Sequence, residues 1–226
     1  MGWTPNTAGP PRSPARWARW SFPPAAGCRL PAAGCRLAPE HPCLAALDDC
    51  CAAVVWPAES VGELGADPVR IAVCGQSAGG GLATTVALPA RDRGGPALVF
   101  QALGIPELAD RLLTESMRTC VDTPVWHRRN VQRGSAFSPV DRTCRRMRRP
   151  RGRTDPAGLP PAHVTASQFD PLRDEALPYA RRLAQANVSV ELHLYPGTCH
   201  GATFVATAQV SRWLTADSIG AFRRVL

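Results

Sequence analysis

The run Arg70-Ile71-Ala72-Val73-Cys74-Gly75-Gln76-Ser77-Ala78-Gly79-Gly80-Gly81 most constrains what this chain can fold into. An apolar, β-branched stretch leads directly into Gly-x-Ser-x-Gly. The following Leu82-Ala83-Thr84-Thr85-Val86-Ala87-Leu88 reads as a helix. A strand, a tight glycine-flanked turn and a helix in that order form a nucleophile elbow, which lifts the serine out of the backbone in a strained conformation. Side chains at Gly75 and Gly79 are expected to collide with neighbouring backbone. Ser77 then stands at a helix N-terminus, where the Ala78 N–H is free to hold an oxyanion.

Around the elbow the pattern alternates between strand and helix. Leu44 to Trp56 reads as a helix, with Leu44, Ala45, Leu47, Cys51, Val54 and Val55 on one face. Ala97–Leu103 and His163–Gln168 read as buried strands. Pro171–Ala186 reads as a helix with Leu172, Ala176, Tyr179, Ala180 and Leu183 on one stripe. Val188, Val190, Leu192 and Leu194 alternate with polar residues as a final strand, and Phe204–Leu226 closes the chain as a helical region. Helix-length crossovers between strands predict an α/β fold, a mostly parallel sheet covered by helices on both faces.

Two segments fall outside this pattern. Residues 1–34 predict an irregular or disordered N-terminal segment, in which Pro24-Ala25-Ala26-Gly27-Cys28-Arg29-Leu30 is repeated letter for letter at 31–37. Residues 134–154 predict an exposed arginine-rich loop inside a domain spanning 35–226. Arg142, Arg145, Arg146, Arg148, Arg149, Arg151 and Arg153 carry nearly all of the formal charge of +8. All 26 basic residues are arginine, which points to coding bias. The tract lacks an aromatic for base stacking, so no nucleic-acid partner is expected, and an arginine-tract nucleic-acid binder ranks as the weakest reading.

Nine cysteines show neither C-x-x-C nor a Cys/His spacing suited to zinc, so neither a metal nor a disulfide framework is expected. Cys74 reads as a small buried hydrophobe. No apolar run reaches the length of a membrane span, and no apolar leader is evident, so a cytoplasmic protein is expected.

A serine needs a base to take its proton and an acid to orient that base. Asp170 follows the strand 163–168, at the carboxyl end where a parallel sheet opens its crevice. It is equally placed to cap the helix that begins at Pro171. His200 lies in a turn after the last strand, where a loop histidine is often merely exposed. His41, His127, His163 and His193 sit in less suitable places, and Asp174 and Glu175 stand one turn into a helix.

The chain resembles the α/β-hydrolase fold-3 family, the hormone-sensitive-lipase-like esterases. The resemblance rests on Arg36-Leu37-Ala38-Pro39-Glu40-His41-Pro42, Ala45-Ala46-Leu47-Asp48-Asp49, Gly75-Gln76-Ser77-Ala78-Gly79-Gly80, Gly158-Leu159-Pro160-Pro161-Ala162, Asp170-Pro171-Leu172-Arg173-Asp174-Glu175 and Tyr195-Pro196-Gly197 with His200-Gly201. It implies an esterase or lipase-like hydrolase acting on small-molecule carboxylic esters without a cofactor. By the same resemblance Ser77 is nucleophile, His200 base, Asp170 the residue that orients it, and Ala78 an oxyanion donor. The family's His-Gly-Gly-Gly loop, which supplies the other oxyanion donors, does not occur in this sequence, and Gln76 stands where Asp is common. The resemblance therefore also implies an incomplete α/β-hydrolase fold, truncated or disrupted at its N-terminal side. A catalytically impaired homologue is the alternative reading. Oligomeric state and acyl preference are not readable from the sequence.

Overall fold

The computed structural model describes residues 18–19, 34–36, 40–41, 44–60, 67–108, 113–137 and 155–225. Its centre is a parallel sheet of four strands, β3 (Ile71–Gln76), β4 (Leu98–Gly104), β5 (Ala162–Phe169) and β6 (Val190–Cys199), hydrogen-bonded in chain order. The register sets Gln76 beside Gly104, Gly104 beside Thr165 and Phe169 beside Cys199, so all four strands end along one edge. A shift between Ser167 and Phe169 marks a bulge near that edge.

Helices cover both faces, as the alternation of elements predicts. On one face α1 (Leu44–Glu59), α2 (Ala78–Asp92) and α5 (Arg173–Gln185) bury the main core. That core joins Val73, Leu103 and Val164 of the sheet to Ala83 and Ala87 of α2 and to Ala176, Tyr179 and Leu183 of α5. The stripe expected on the helix after Pro171 is thus the buried one. On the other face α6 (Gln209–Val225) lays Ala221 and Phe222 against Phe100 and Ala102, with Phe100 and Phe222 edge to face at 5.5 Å. Cys74 packs beside this second cluster, and burial pushes its thiol up to about 11, as suits an inert apolar filler. All six described cysteines are free. No described helix is long and apolar enough to cross a membrane.

Several boundaries differ from the sequence expectation. Ala18–Arg19 (β1), inside the segment 1–34 read as irregular, pairs antiparallel with Gly34–Cys35 (β2) at its end. Two-residue strands carry no periodicity, and this one is anchored by Cys35, buried at the edge of α1. The rest of 1–33 lies outside the described residues. The short α3 (Glu115–Thr119) and α4 (Arg128–Phe137) lie between β4 and β5, where the sequence shows no clear period. α4, anchored by buried Val131, runs on to Phe137 and so takes in residues 134–137, which were expected to be loop. Arginines 142–153 lie outside the described residues.

The two N-terminal motifs are one structural unit. The Arg36 backbone N–H and guanidinium both donate to the Asp49 carboxylate of α1, at 2.8–3.0 Å. This doubly bonded, part-buried pair raises the Arg36 pKa and fastens the chain after β2 to the helix. Asp49→Asn is expected to cost about 1 kcal/mol, a value held down by the pair's partial exposure and read as a lowered urea midpoint at unchanged m.

Candidate active site

Ser77 follows β3 with φ 54° and ψ −123°, a conformation rarely adopted by a residue with a side chain. Hydrogen bonds over-determine that strain. The Ser77 N–H donates to the Gly104 carbonyl at 2.9 Å. The Ser77 carbonyl accepts from Gly81 N–H at 3.1 Å and Glu107 N–H at 3.0 Å. The neighbouring strand and the loop after it therefore hold the elbow from both sides.

The glycines are required by contact. A Cβ on Gly75 would lie 2.2 Å from the carbonyl carbon and oxygen of Gly79, so the collision expected at Gly75 is with the backbone of the other flanking glycine. Sequence reasoning missed two more. A Cβ on Gly80 would meet Pro106 Cβ at 2.9 Å, and one on Gly81 would meet the Glu107 carbonyl oxygen at 2.2 Å. The glycine run lets the loop after β4 lie directly on the first turn of α2. Gly75→Ala is expected to lower stability by about 3 kcal/mol, because a backbone collision cannot be relieved by a rotamer change; denaturant titration measures it.

Asp170 leaves the end of β5 and is 1 % exposed. Its two oxygens do separate things. Oδ1 accepts the Leu172 N–H at 2.9 Å, which is the helix-entry role, and Oδ2 faces His200 Nδ1 at 2.8 Å. The two sequence readings of Asp170 were not exclusive. His200 follows β6 directly and is buried, so it is not the exposed loop histidine of the alternative reading. With Nδ1–H donating to the carboxylate, the tautomer consistent with this network, Nε2 is left as the acceptor. No hydrogen bond joins the Ser77 hydroxyl to the His200 ring among the described residues, and the hydroxyl makes no cap to its own helix. Ser77, Asp170 and His200 nevertheless all stand at the carboxyl edge of one sheet. The Ala78 N–H opens α2 at its exposed first position, where no intrahelical acceptor exists.

Asp174 and Glu175, set aside as candidate acids, hold loops over this edge. Asp174 Oδ2 accepts the Ser116 N–H and Glu175 Oε2 accepts the Leu108 N–H, both at 2.7 Å. The Arg173 guanidinium beside Asp174 holds its carboxyl below the usual carboxylate range. Trp126 is a residue the sequence gave no sign of. Its ring stacks on His200 at 5.7 Å and 29°. A tight turn puts it there. The Trp126 N–H donates to Pro124 O at 2.7 Å across Val125, whose φ of 66° is strained for a β-branched residue.

Comparison with known proteins settles the family. A sequence model described as alpha/beta hydrolase fold matches residues 7–204. The chain belongs to that family. Over 194 residues it is 40% identical to "Carboxylesterase NlhH" of Mycobacterium tuberculosis, covering 83% of this chain and 61% of that protein. It is 32% identical over 203 residues to an arylesterase of Saccharolobus solfataricus, with the same 83% and 61% shares. Among solved structures it is similar to "Bacterial Heroin Esterase", with TM-score 0.77 and 47% identity, covering 85% of this chain and 63% of that one. Esterase LipW from Mycobacterium marinum gives TM-score 0.80 at 37% identity, covering 85% and 61%. This alpha/beta hydrolase chain thus spans 61% of the length of the curated relatives named here. The four parallel strands of its described sheet are the part of the fold that carries the elbow and the His200–Asp170 pair.

Proposed function

We propose that the chain hydrolyses small-molecule carboxylic esters through Ser77, His200 and Asp170. The observation that carries this reading is the coincidence, on one sheet edge, of a strained elbow serine and a buried histidine–carboxylate hydrogen bond. Ser77 Oγ attacks the ester carbonyl while His200 Nε2 takes its proton. The imidazolium so formed keeps its Nδ1–H on Asp170, which stays ionised. The Ala78 N–H stabilises the oxyanion. Collapse of the tetrahedral intermediate breaks the ester C–O bond, and His200 returns the proton to the leaving alkoxide oxygen. Water, deprotonated by His200, then attacks the acyl-Ser77 ester and releases the acid.

A second reading has its own observation. No His-Gly-Gly-Gly run occurs in the 226 residues, so Ala78 supplies a single identified oxyanion donor. Loss of one such donor costs about 10²–10³-fold in kcat. An impaired homologue would therefore fold and turn over slowly or not at all. Release of nitrophenol from a short-chain nitrophenyl ester by purified protein, set against the Ser77→Ala variant, tests the esterase. Equal rates from the two folded proteins would sink it in favour of the impaired homologue.

A further inference from the structure

The face of the sheet under α6 carries a second group of chemically capable side chains, well away from the serine. β5 and β6 pair His163 with Glu191 and Thr165 with His193. Alternate strand residues share a face, so Glu191, His193 and Tyr195 all point to the α6 side. Contacts with that helix agree. Arg224 pairs with Glu191 Oε2, and Tyr195 OH donates to Asp217 Oδ2 at 2.7 Å.

His163 is the anomaly in this group. It is 1 % exposed, and its Nε2 is buried without a hydrogen-bond partner among the described residues. Its ring lies 5.3 Å from that of His193. Each of His163, Glu191 and His193 offers one ligand atom within 4.8 Å of the other two. We propose that these three residues bind one divalent transition-metal ion of the zinc class between β5, β6 and α6.

The donor set fits that chemistry. Two imidazole nitrogens and one carboxylate oxygen suit Zn²⁺ and its neighbours, whereas Mg²⁺ and Ca²⁺ want oxygen-only shells. His193 Nε2 faces Glu191 Oε1 at 2.7 Å, and its Nδ1 faces Asp217 Oδ2 at 3.9 Å. Asp217 is therefore placed to orient a metal-bound His193 from behind, with Tyr195 holding Asp217. Ligands about 2.0–2.2 Å from one tetrahedral ion stand roughly 3.4 Å apart, so Glu191 must draw back from its present hydrogen bond. Its side chain is 39% exposed and His193's is 32%, which leaves room for that shift and for a water as fourth ligand. Arg224, on the other Glu191 oxygen, opposes a cation by charge alone.

The site is remote from the ester chemistry. His163 precedes Asp170 by seven residues of extended chain, about 23 Å at the usual rise. The ion's role is to clamp β5 to β6, the two strands that supply its ligands. No Cys/His spacing along the chain announces it, because the ligands come from neighbouring strands.

The test uses the full chain, stripped with chelator and titrated with Zn²⁺ by calorimetry and with Co²⁺ by visible absorption. The expected result is one saturable equivalent, a Co²⁺ spectrum without the thiolate charge-transfer band, and a Tm that rises with Zn²⁺. His163→Leu and Glu191→Gln should each weaken binding by about tenfold or more, since even groups that only orient a ligand cost that much. Arg224→Gln should tighten it. Circular dichroism checks each fold, and the half-buried Glu191→Gln alone decides if His163→Leu fails to fold. Absence of saturable binding in the folded stripped protein overturns the site. So does binding that persists unchanged in the folded variants, which would assign the metal to the cysteines.

Discussion

Ser77→Ala is expected to lower kcat for a short-chain nitrophenyl ester by on the order of 10⁶-fold, to the level of the bare oxyanion donor and substrate binding. The size follows from the role. Without the hydroxyl no acyl-enzyme forms, and His200 and Asp170 lose the group they serve. The substitution should leave the fold intact. The Ser77 hydroxyl makes no capping bond, while the backbone N–H and carbonyl that hold the turn remain in alanine. Thermal unfolding within a degree or two of the parent, beside lost turnover, is the combined result expected. A variant with full activity would remove Ser77 from the chemistry.

Asp170→Asn is expected to cost about 10⁴-fold in kcat, the size of effect that follows from holding the wrong histidine tautomer. The structure says why an isosteric amide fails here. Oδ1 of Asp170 accepts the Leu172 N–H, so an asparagine must give its carbonyl to that backbone donor. Its NH₂ then faces His200 Nδ1, where the native carboxylate oxygen accepts at 2.8 Å. Nδ1 is forced to become the acceptor, and the proton moves to Nε2, the nitrogen that should receive the serine's. The opposite orientation sets two N–H groups against each other at Leu172. Either way a residue 1 % exposed has no water to relieve the mismatch. Loss of kcat with retained secondary structure is the expected readout, and an active Asp170→Asn protein would show that the carboxylate serves only the helix entry.

The elbow was legible in the sequence because its cause is local. Apolar Ile71–Val73, the glycines and the serine dictate strand, turn and helix within a dozen residues. Asp170 and His200 were legible as candidates because parallel strands deliver their following residues to one edge, and the family resemblance supplied their expected roles. The extent of the elements was less so. Pro196 and Gly197 read as a turn, yet β6 runs through them to Cys199, since β6 ends the described sheet and Pro196 has no neighbour on its outer side to bond. The three glycines at 79–81 argue against helix by propensity, but α2 begins at Ala78 because Pro106 and Glu107 must pack against a surface without side chains.

Alternation gave the two faces of β6 but not what covers each of them. Val188 to Leu194 marks one face correctly, yet Leu192 and Leu194 are 42% and 45% exposed, while the polar face holds Tyr195 buried against α6. Periodicity says which residues share a face. What covers that face depends on elements far away in the chain. Trp126 was illegible for the same reason: it reaches His200 through a strained turn in a segment with no period.

The most direct test of Ser77 as an activated nucleophile is covalent capture. The purified full chain is treated with a fluorophosphonate, its intact mass measured and the adduct mapped by peptide sequencing. The expected result is one adduct per chain, on Ser77, with esterase activity falling in step with labelling and no adduct on Ser77→Ala. Folded protein that takes up no adduct, or takes it up elsewhere while hydrolysis continues, would contradict it.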